Sequence, residues 1–322
     1  MKGRAILPLA AAVLLMTGLA FADPPPAPQP TDADGSAVVK ELEVVGHYPG
    51  PPQWTVRRGD AEVVVLGAVS PLPHTLEWNT HRFDRALDGA RLVILPPSGR
   101  IGVFDAAYLL LHQGDLKLRG GELLWSKLTP VEQKRFDSLR EEAKTEPKRY
   151  EHLKPAVAAM ILEDDFDKIA GLSEAKPGST VKRMAQGRHI RIESEGLPVV
   201  SLFRSAMSMD DQAAHTCFDA LLTDAERHRS RARAVANAWA NGDLGVLRGE
   251  YLASGADACL AGAPGLAAFA EKLTRDAQAQ IDAALAKGGK TVAVIDLRVL
   301  LRANGVLDRL KAEGATIDVP RE

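Results

Sequence analysis

Apolar residues along this chain recur in two rhythms. Short consecutive runs, AEVVVLGAV at 61–69, RLVILP at 91–96 and TVAVID at 291–296, are rich in β-branched residues and predict strands covered on both faces. The stretches between them space their apolar positions by three and four, which predicts amphipathic helices. NTHRFDRALDGA (79–90) is one such helix, and with the runs on either side it makes a strand-helix-strand unit.

The middle of the chain reads as helical. TPVEQKRFDSLREEAKT opens on Thr129 with Pro130 inside the first turn, and YEHLKPAVAAMILEDDFDKIAGL continues at helical spacing. STVKRMAQGRHIRIESEG predicts a helix and then a strand, HIRIE. Two or three further helices are expected through Met207–Asn241 and again through Leu266–Lys287.

The end of the chain repeats its opening arrangement. VVVLGAVS and VAVIDLR each end a strand at a turn, while FDRALDGARLVI and VLDRLKAEGATI each pair a helix with a returning strand. The expected fold class is α/β: two related strand-helix-strand halves around a central sheet, with an inserted helical region. Ligands in open α/β sheets bind at the carboxyl ends of strands, so Ser70 and Arg298 are expected to line one cleft.

The first residues follow a different logic. Lys2 and Arg4 precede the apolar run AILPLAAAVLLMTGLAF, and Ala20-Phe21-Ala22 is a small-x-small cleavage pattern, so residues 1–22 read as a secretory signal peptide cut after Ala22. Residues 23–37, DPPPAPQPTDADGSA, are too polar and Pro-rich to order themselves and read as an extended leader. VVKELEVVGHYPGPPQWTV supplies a short strand before the PGPP turn, within an α/β domain spanning 38–322. No second apolar run of comparable length follows, so no transmembrane segment is expected after cleavage, and the protein is expected to be periplasmic or secreted.

Losing Lys2 and Arg4 with the signal peptide moves the net charge from −2 to about −4, which argues against nucleic acid as a partner. The basic run RHRSRARA (227–234) is expected to be the solvated face of a helix. An oxidising compartment makes a disulfide the first expectation for Cys217 and Cys259, with two separately buried thiols as the alternative.

Four places resemble the TraB/GumN family, which is related to the Tiki proteases and has an EreA/ChaN-like arrangement. GAVSPLPHTLEW looks like the family's G-x-x-H turn followed by a Pro and Trp segment, with Ser70 in place of the histidine after Gly67. RLVIL resembles a strand that carries a glutamate at its end, where this chain has Leu95. AWANGDLGVL and KLTRDAQAQIDAAL resemble the W-x-x-GDL helix and an Arg-Asn pair, with Arg275 kept and Asp276 replacing the Asn. TVAVIDLR followed by NGVLDRLKAEGATI resembles the final strand and second G-x-x-H, with Ile295 for the Gly and Arg298 for the His. The resemblance runs from about Gln53 to Pro320.

The family is described as metal-dependent hydrolases, so the resemblance implies a divalent metal such as Mn, Co or Zn held by two histidines and a glutamate. This chain keeps none of the three, and no intact catalytic or metal-ligating set is expected. A divalent ion 4 Å from a guanidinium is repelled by about 8 kcal/mol, twice the unit-charge figure at an effective dielectric of 20. The expected function is therefore that of a catalytically inactive binding or scaffold protein of the cell envelope, without a cofactor. Its expected partner is an envelope protein, a peptide or a polysaccharide. The alternative is a peptidase-like hydrolase with a variant site, in which His74 or His81 acts with Glu193, or Ser70 serves as a nucleophile.

Binding-cleft candidates are thus Ser70, His74, Glu193, Arg275 and Arg298. The expected partner of Arg298 is Glu193, Asp296 or an anionic ligand such as a sugar acid or phosphate.

Overall fold

The computed structural model describes residues 50–98, 103–173, 176–197, 199–252, 259 and 264–320. The expected signal peptide, leader and first short strand lie outside the described residues. The strands are β1 (Gln53–Arg58), β2 (Ala61–Ala68), β3 (Leu72–Pro73), β4 (Ala90–Ser98), β5 (Leu172–Ser173), β6 (Arg191–Gly196), β7 (Lys290–Asp296) and β8 (Thr316–Asp318). Six of them form one sheet in the order β6-β4-β7-β2-β1-β8, and β3 pairs with β5 separately.

The sheet is mostly parallel because helical crossovers return the chain each time to the same end of the sheet before the next strand begins. Only β1 runs against its neighbours, joined to β2 by the tight turn at Gly59 and Asp60. The two related halves interleave: β7 slides between β2 and β4 and pairs with β2 from Glu62↔Lys290 to Ala68↔Asp296. A strand in that position is covered above, below and on both edges. Val292, Ala293 and Val294 are accordingly fully buried, and the unbroken apolar run that predicted them is the sequence signature of such a strand.

Helix His81–Leu87 connects β2 to β4 and buries Phe83, Ala86 and Leu87. Helix Pro130–Glu142 starts where the Thr129 and Pro130 signal placed it. The Thr129 side chain accepts the N–H of Glu132, and the Glu132 carboxylate accepts the N–H of Thr129, so two otherwise orphaned donors are satisfied reciprocally.

The helices inserted between β4 and β7 build a second apolar cluster of their own, around Leu124, Phe136, Tyr150, Leu162, Phe218 and Leu222. Asp165 is buried there and satisfied by the Arg149 guanidinium at 2.5 and 2.8 Å and the Tyr150 hydroxyl at 2.7 Å.

The helices expected through 207–241 and 266–287 are Asp211–Asn241 and Pro264–Ala286, with a short helix, Val199–Met207, before them. No glycine or proline falls within Asp211–Asn241, so nothing interrupts the backbone hydrogen-bond ladder. This 31-residue helix spans both clusters. Phe218 and Leu222 pack with the helical insert, while Val235 and Trp239 pack on the sheet.

Cys217 and Cys259 are joined as a disulfide across a sequence separation of 42 residues, which resolves the two alternatives in favour of the bridge. Closing a loop of that length stabilises the fold by about 4 kcal/mol in the chain-entropy model. Replacing both cysteines by alanine is expected to lower the unfolding free energy in denaturant by up to that amount. The unaltered protein is expected to show no free thiol when titrated unfolded and unreduced.

Candidate functional site

β2 approaches its carboxyl end beneath two buried side chains. A Cβ on Gly67 would lie 2.4 Å from Leu297 Cδ2 and 2.6 Å from Trp54 Cζ3, so only glycine fits. The carbonyl of Gly67 accepts the buried indole N–H of Trp239 at 2.7 Å. Trp78, from the turn that follows β2, meets the Trp239 ring edge-on at 5.3 Å.

Trp239 opens the WANGDL segment, and each later residue of it has a steric or hydrogen-bonding task. Gly242 ends the long helix with φ 77°, and a Cβ there would stand 2.7 Å from the carbonyl oxygen of Gly50. Asp243 then caps helix Leu244–Leu247 by accepting the N–H of Val246 at 2.9 Å, and Leu244 is buried. The chain turned in this way delivers Tyr251 back over the end of β2.

At the neighbouring strand mouth, Asp296 ends β7 and caps helix Leu297–Leu301, its Oδ1 accepting the N–H of Arg298 at 2.7 Å. The Arg298 side chain then folds toward Ser70. Its Nη2 donates to the Ser70 carbonyl at 3.0 Å and to the Tyr251 hydroxyl at 2.6 Å, while Nε faces Asp296 Oδ1 at 3.4 Å. The guanidinium carbon lies 4.3 Å from the centroid of the Tyr251 ring. Tyr251 donates to Asp296 Oδ2 at 2.7 Å and accepts the Ser70 N–H at 3.2 Å. Three separate chain segments are thereby tied around one cation.

Burial raises the Tyr251 phenol well above its ordinary value, and the charge of Asp296 raises it further. For Arg298 burial works against the charge, but Asp296 and Tyr251 outweigh it, so the guanidinium holds its proton more firmly than usual. The cation at this strand mouth is permanent.

A cleft of about 340 Å³ opens beside this cluster. It is lined by Ser70, Pro71, Leu172, Tyr251 and Arg298. One wall is helix Pro155–Ala170, contributing Met160, Glu163, Asp164 and Asp167, and the other is the long helix, contributing Asp224, Arg231, Ala232 and Val235. With Glu250 at the rim, five carboxylates face two guanidinium groups, those of Arg231 and Arg298.

The basic run lies on a helix with Arg227 and Arg233 exposed, as expected, and Arg231 is the exception. Its side chain is only 12% exposed and pairs with Asp224 at 2.8 Å and Glu250 at 3.7 Å, because the long helix turns this position toward the insert.

The structure brings together Ser70 and Arg298 and no other sequence candidate. Leu95 is nearly buried on β4, opposite Ser194 of β6, and β7 stands between it and Ser70. His74 turns away to the carbonyl of Gly171, and Lys176 donates to the His74 carbonyl, so this histidine fastens a loop. His81 begins a helix on the surface, its N–H bound to the Asn79 side chain at 3.0 Å.

Glu193 lies on the edge strand β6 and pairs with Arg191 at 2.7 Å. Arg275 is 64% exposed on helix Pro264–Ala286 beside Glu271, and Asp276 pairs with Lys272. Of the three partners expected for Arg298, the structure supplies Asp296.

Tyr251 and the acidic wall are absent from the sequence candidates. The wall had a signal, since Glu163, Asp164 and Asp167 in LEDDFDKIA share one helix face at spacings of three and four. Tyr251 had none, because its place depends on a glycine turn nine residues earlier.

Among the described residues no group of three or more His, Cys, Asp or Glu is arranged to hold a metal ion. The Arg298 guanidinium brings a positive charge to this strand mouth, and Leu95 on β4 carries no metal-ligating atom. A family model described as the TraB/PrgY/gumN family matches residues 52–319. The curated proteins and the solved structures gave no match.

Gly67→Ala forces a methyl group into the Trp54 and Leu297 side chains and is expected to cost about 1–3 kcal/mol in denaturant unfolding. A native-state ultraviolet titration is expected to show Tyr150, raised by burial to about 12, and Tyr251 both ionising late. Since both folded-state values are raised, the associated stability is fully present below the unfolded value of about 10 and is lost as pH climbs through the folded ones. Unfolding and the late phenol absorbance are therefore expected to coincide.

Proposed function

This chain belongs to the TraB/PrgY/gumN family, and on that premise we propose that it is a catalytically inactive binding protein of the cell envelope. The observation that carries the reading is the Arg298 guanidinium, held by Asp296, Tyr251 and the Ser70 carbonyl at the paired mouths of β2 and β7. A fixed cation there removes both the ligand set and the electrostatic room for a divalent metal. An envelope location is supported by the apolar run that precedes Ala20-Phe21-Ala22 and by the disulfide.

The lining of the cleft supports a choice of ligand. Its five carboxylates and two guanidinium groups are negative overall, which suits a cationic ligand and repels sugar acids and phosphates. Its volume, near the lower end of ordinary ligand sites at about 300 Å³, holds one or two side chains of an extended peptide. A Lys- or Arg-bearing peptide segment is the occupant proposed.

Calorimetric titration with a Lys-rich and a Glu-rich peptide of equal length tests this. Only the Lys-rich peptide is expected to bind, and its affinity is expected to weaken with salt and to fall on the order of 10-fold in Glu163→Gln/Asp167→Asn, about the loss of one charged contact. Equal binding of both peptides, or of neither, overturns the proposal. Stoichiometric Mn, Co or Zn in the purified protein, together with peptide cleavage, supports instead the hydrolase with a variant site.

A further inference from the structure

Helix Val103–Leu111, sequence VFDAAYLLL, faces the wrong way for a helix on the surface of a water-soluble domain. Its inward side carries Asp105, Tyr108, Leu109 and His112. Tyr108 stacks on His112 at 3.9 Å and accepts the Arg204 Nε at 3.0 Å from helix Val199–Met207. Its outward side is wholly apolar: Phe104 is 90% exposed, Leu111 80% and Leu110 66%, with Ala106 and Ala107 exposed between them. At 100° per residue these five positions fill one continuous face. The polar anchors fix the helix so that this face points outward.

We propose that this face is the contact between two copies of the chain, packed antiparallel about a two-fold axis near Ala107. Three observations select that occupant. The face has small residues at its centre and large ones at both ends, so an antiparallel partner sets Phe104 of one copy against Leu110 and Leu111 of the other while the alanines let the helices approach. It carries no charge, so pairing two identical faces removes no ion from water, as in the apolar centres of homodimer interfaces.

The third observation is the charge around it. The described charges nearby, Asp105, Asp115, Lys117, Arg119 and Arg204, are mixed in sign, whereas a helix lying on an anionic membrane is framed by basic residues. Each copy offers on the order of 400 Å² here, counting about 150–250 Å² for an aromatic side chain. Two copies together reach about 800 Å², below the roughly 1,200 Å² of a stable interface, so the dimer proposed is a weak and reversible one. This inference is independent of the cleft and its ligand.

Sedimentation velocity across a concentration series of the purified protein tests it. A monomer–dimer equilibrium half-complete on the order of tens of micromolar is expected. Phe104→Glu and Leu111→Lys each place a charge on an exposed position, so both variants are expected to stay folded by circular dichroism and to weaken the dimer at least 10-fold.

An equimolar mixture of the two variants tests the antiparallel register. In the mixed dimer the carboxylate introduced on one copy meets the ammonium introduced on the other, and at the opposite end an unaltered Phe104–Leu111 contact remains, so dimer is expected to return. Monomer at all concentrations, or dimer unchanged in both variants, overturns the proposal. Failure of the mixture to recover dimer overturns the antiparallel arrangement. Flotation of the unaltered protein, and not of the variants, with phosphatidylglycerol vesicles assigns the face to a membrane and also overturns it.

Discussion

The site depends on the absence of a side chain at Gly67. Because that position has no Cβ, the Trp54 ring and the Leu297 side chain close over β2 from two directions, and the Gly67 carbonyl is left for the Trp239 indole. One backbone position thus joins β1, the helix after β7 and the long helix that spans both apolar clusters. Each partner is buried, so a disturbance at Gly67 would be felt by elements far apart in sequence, as close packing requires.

From that junction the cluster at the strand mouths follows by short steps. Trp239 fixes the end of the long helix, Gly242 turns the chain, Asp243 restarts it, and Tyr251 arrives above Ser70. Leu297 is the residue between Asp296 and Arg298, so packing it over Gly67 sets the cap that aims the guanidinium. The positive charge then satisfies groups from all three segments, work that a metal ion performs when histidines and carboxylates converge. Here a cation borne by the chain itself closes the two strand mouths, and the open volume lies beside it among carboxylates.

The α/β class, the three central strands and the capped start of helix Pro130–Glu142 were all legible, because each depends on residues within a few positions of one another. Ser70 and Arg298 could be set at one cleft because both follow strands of the same repeated unit, and parallel neighbours end on the same side. Periodicity marks a strand without saying which strand will stand next to it, so it could not place Leu95 opposite Ser194. It also could not show that Arg231, unlike the exposed Arg227 and Arg233 of the same basic run, turns toward Asp224 and Glu250. His74, Glu193 and Arg275 carry groups able to do chemistry, but they stand on a loop, an edge strand and an outer helix face, and their distance from the strand mouths is not written in any local pattern.

The sequence alone determined the elements and the chemical character of the two turns, because helix caps, apolar periods and the identities of Ser70 and Arg298 are properties of neighbouring residues. The tertiary structure alone decided that β7 would enter between β2 and β4 and that Tyr251 would bridge Asp296, Arg298 and Ser70. It also decided that the acidic face of helix Pro155–Ala170 would become the wall of a cleft. Those outcomes depend on which buried surfaces fit together between segments far apart in the chain. That fit is set by shape and burial and has no counterpart in any single stretch of sequence.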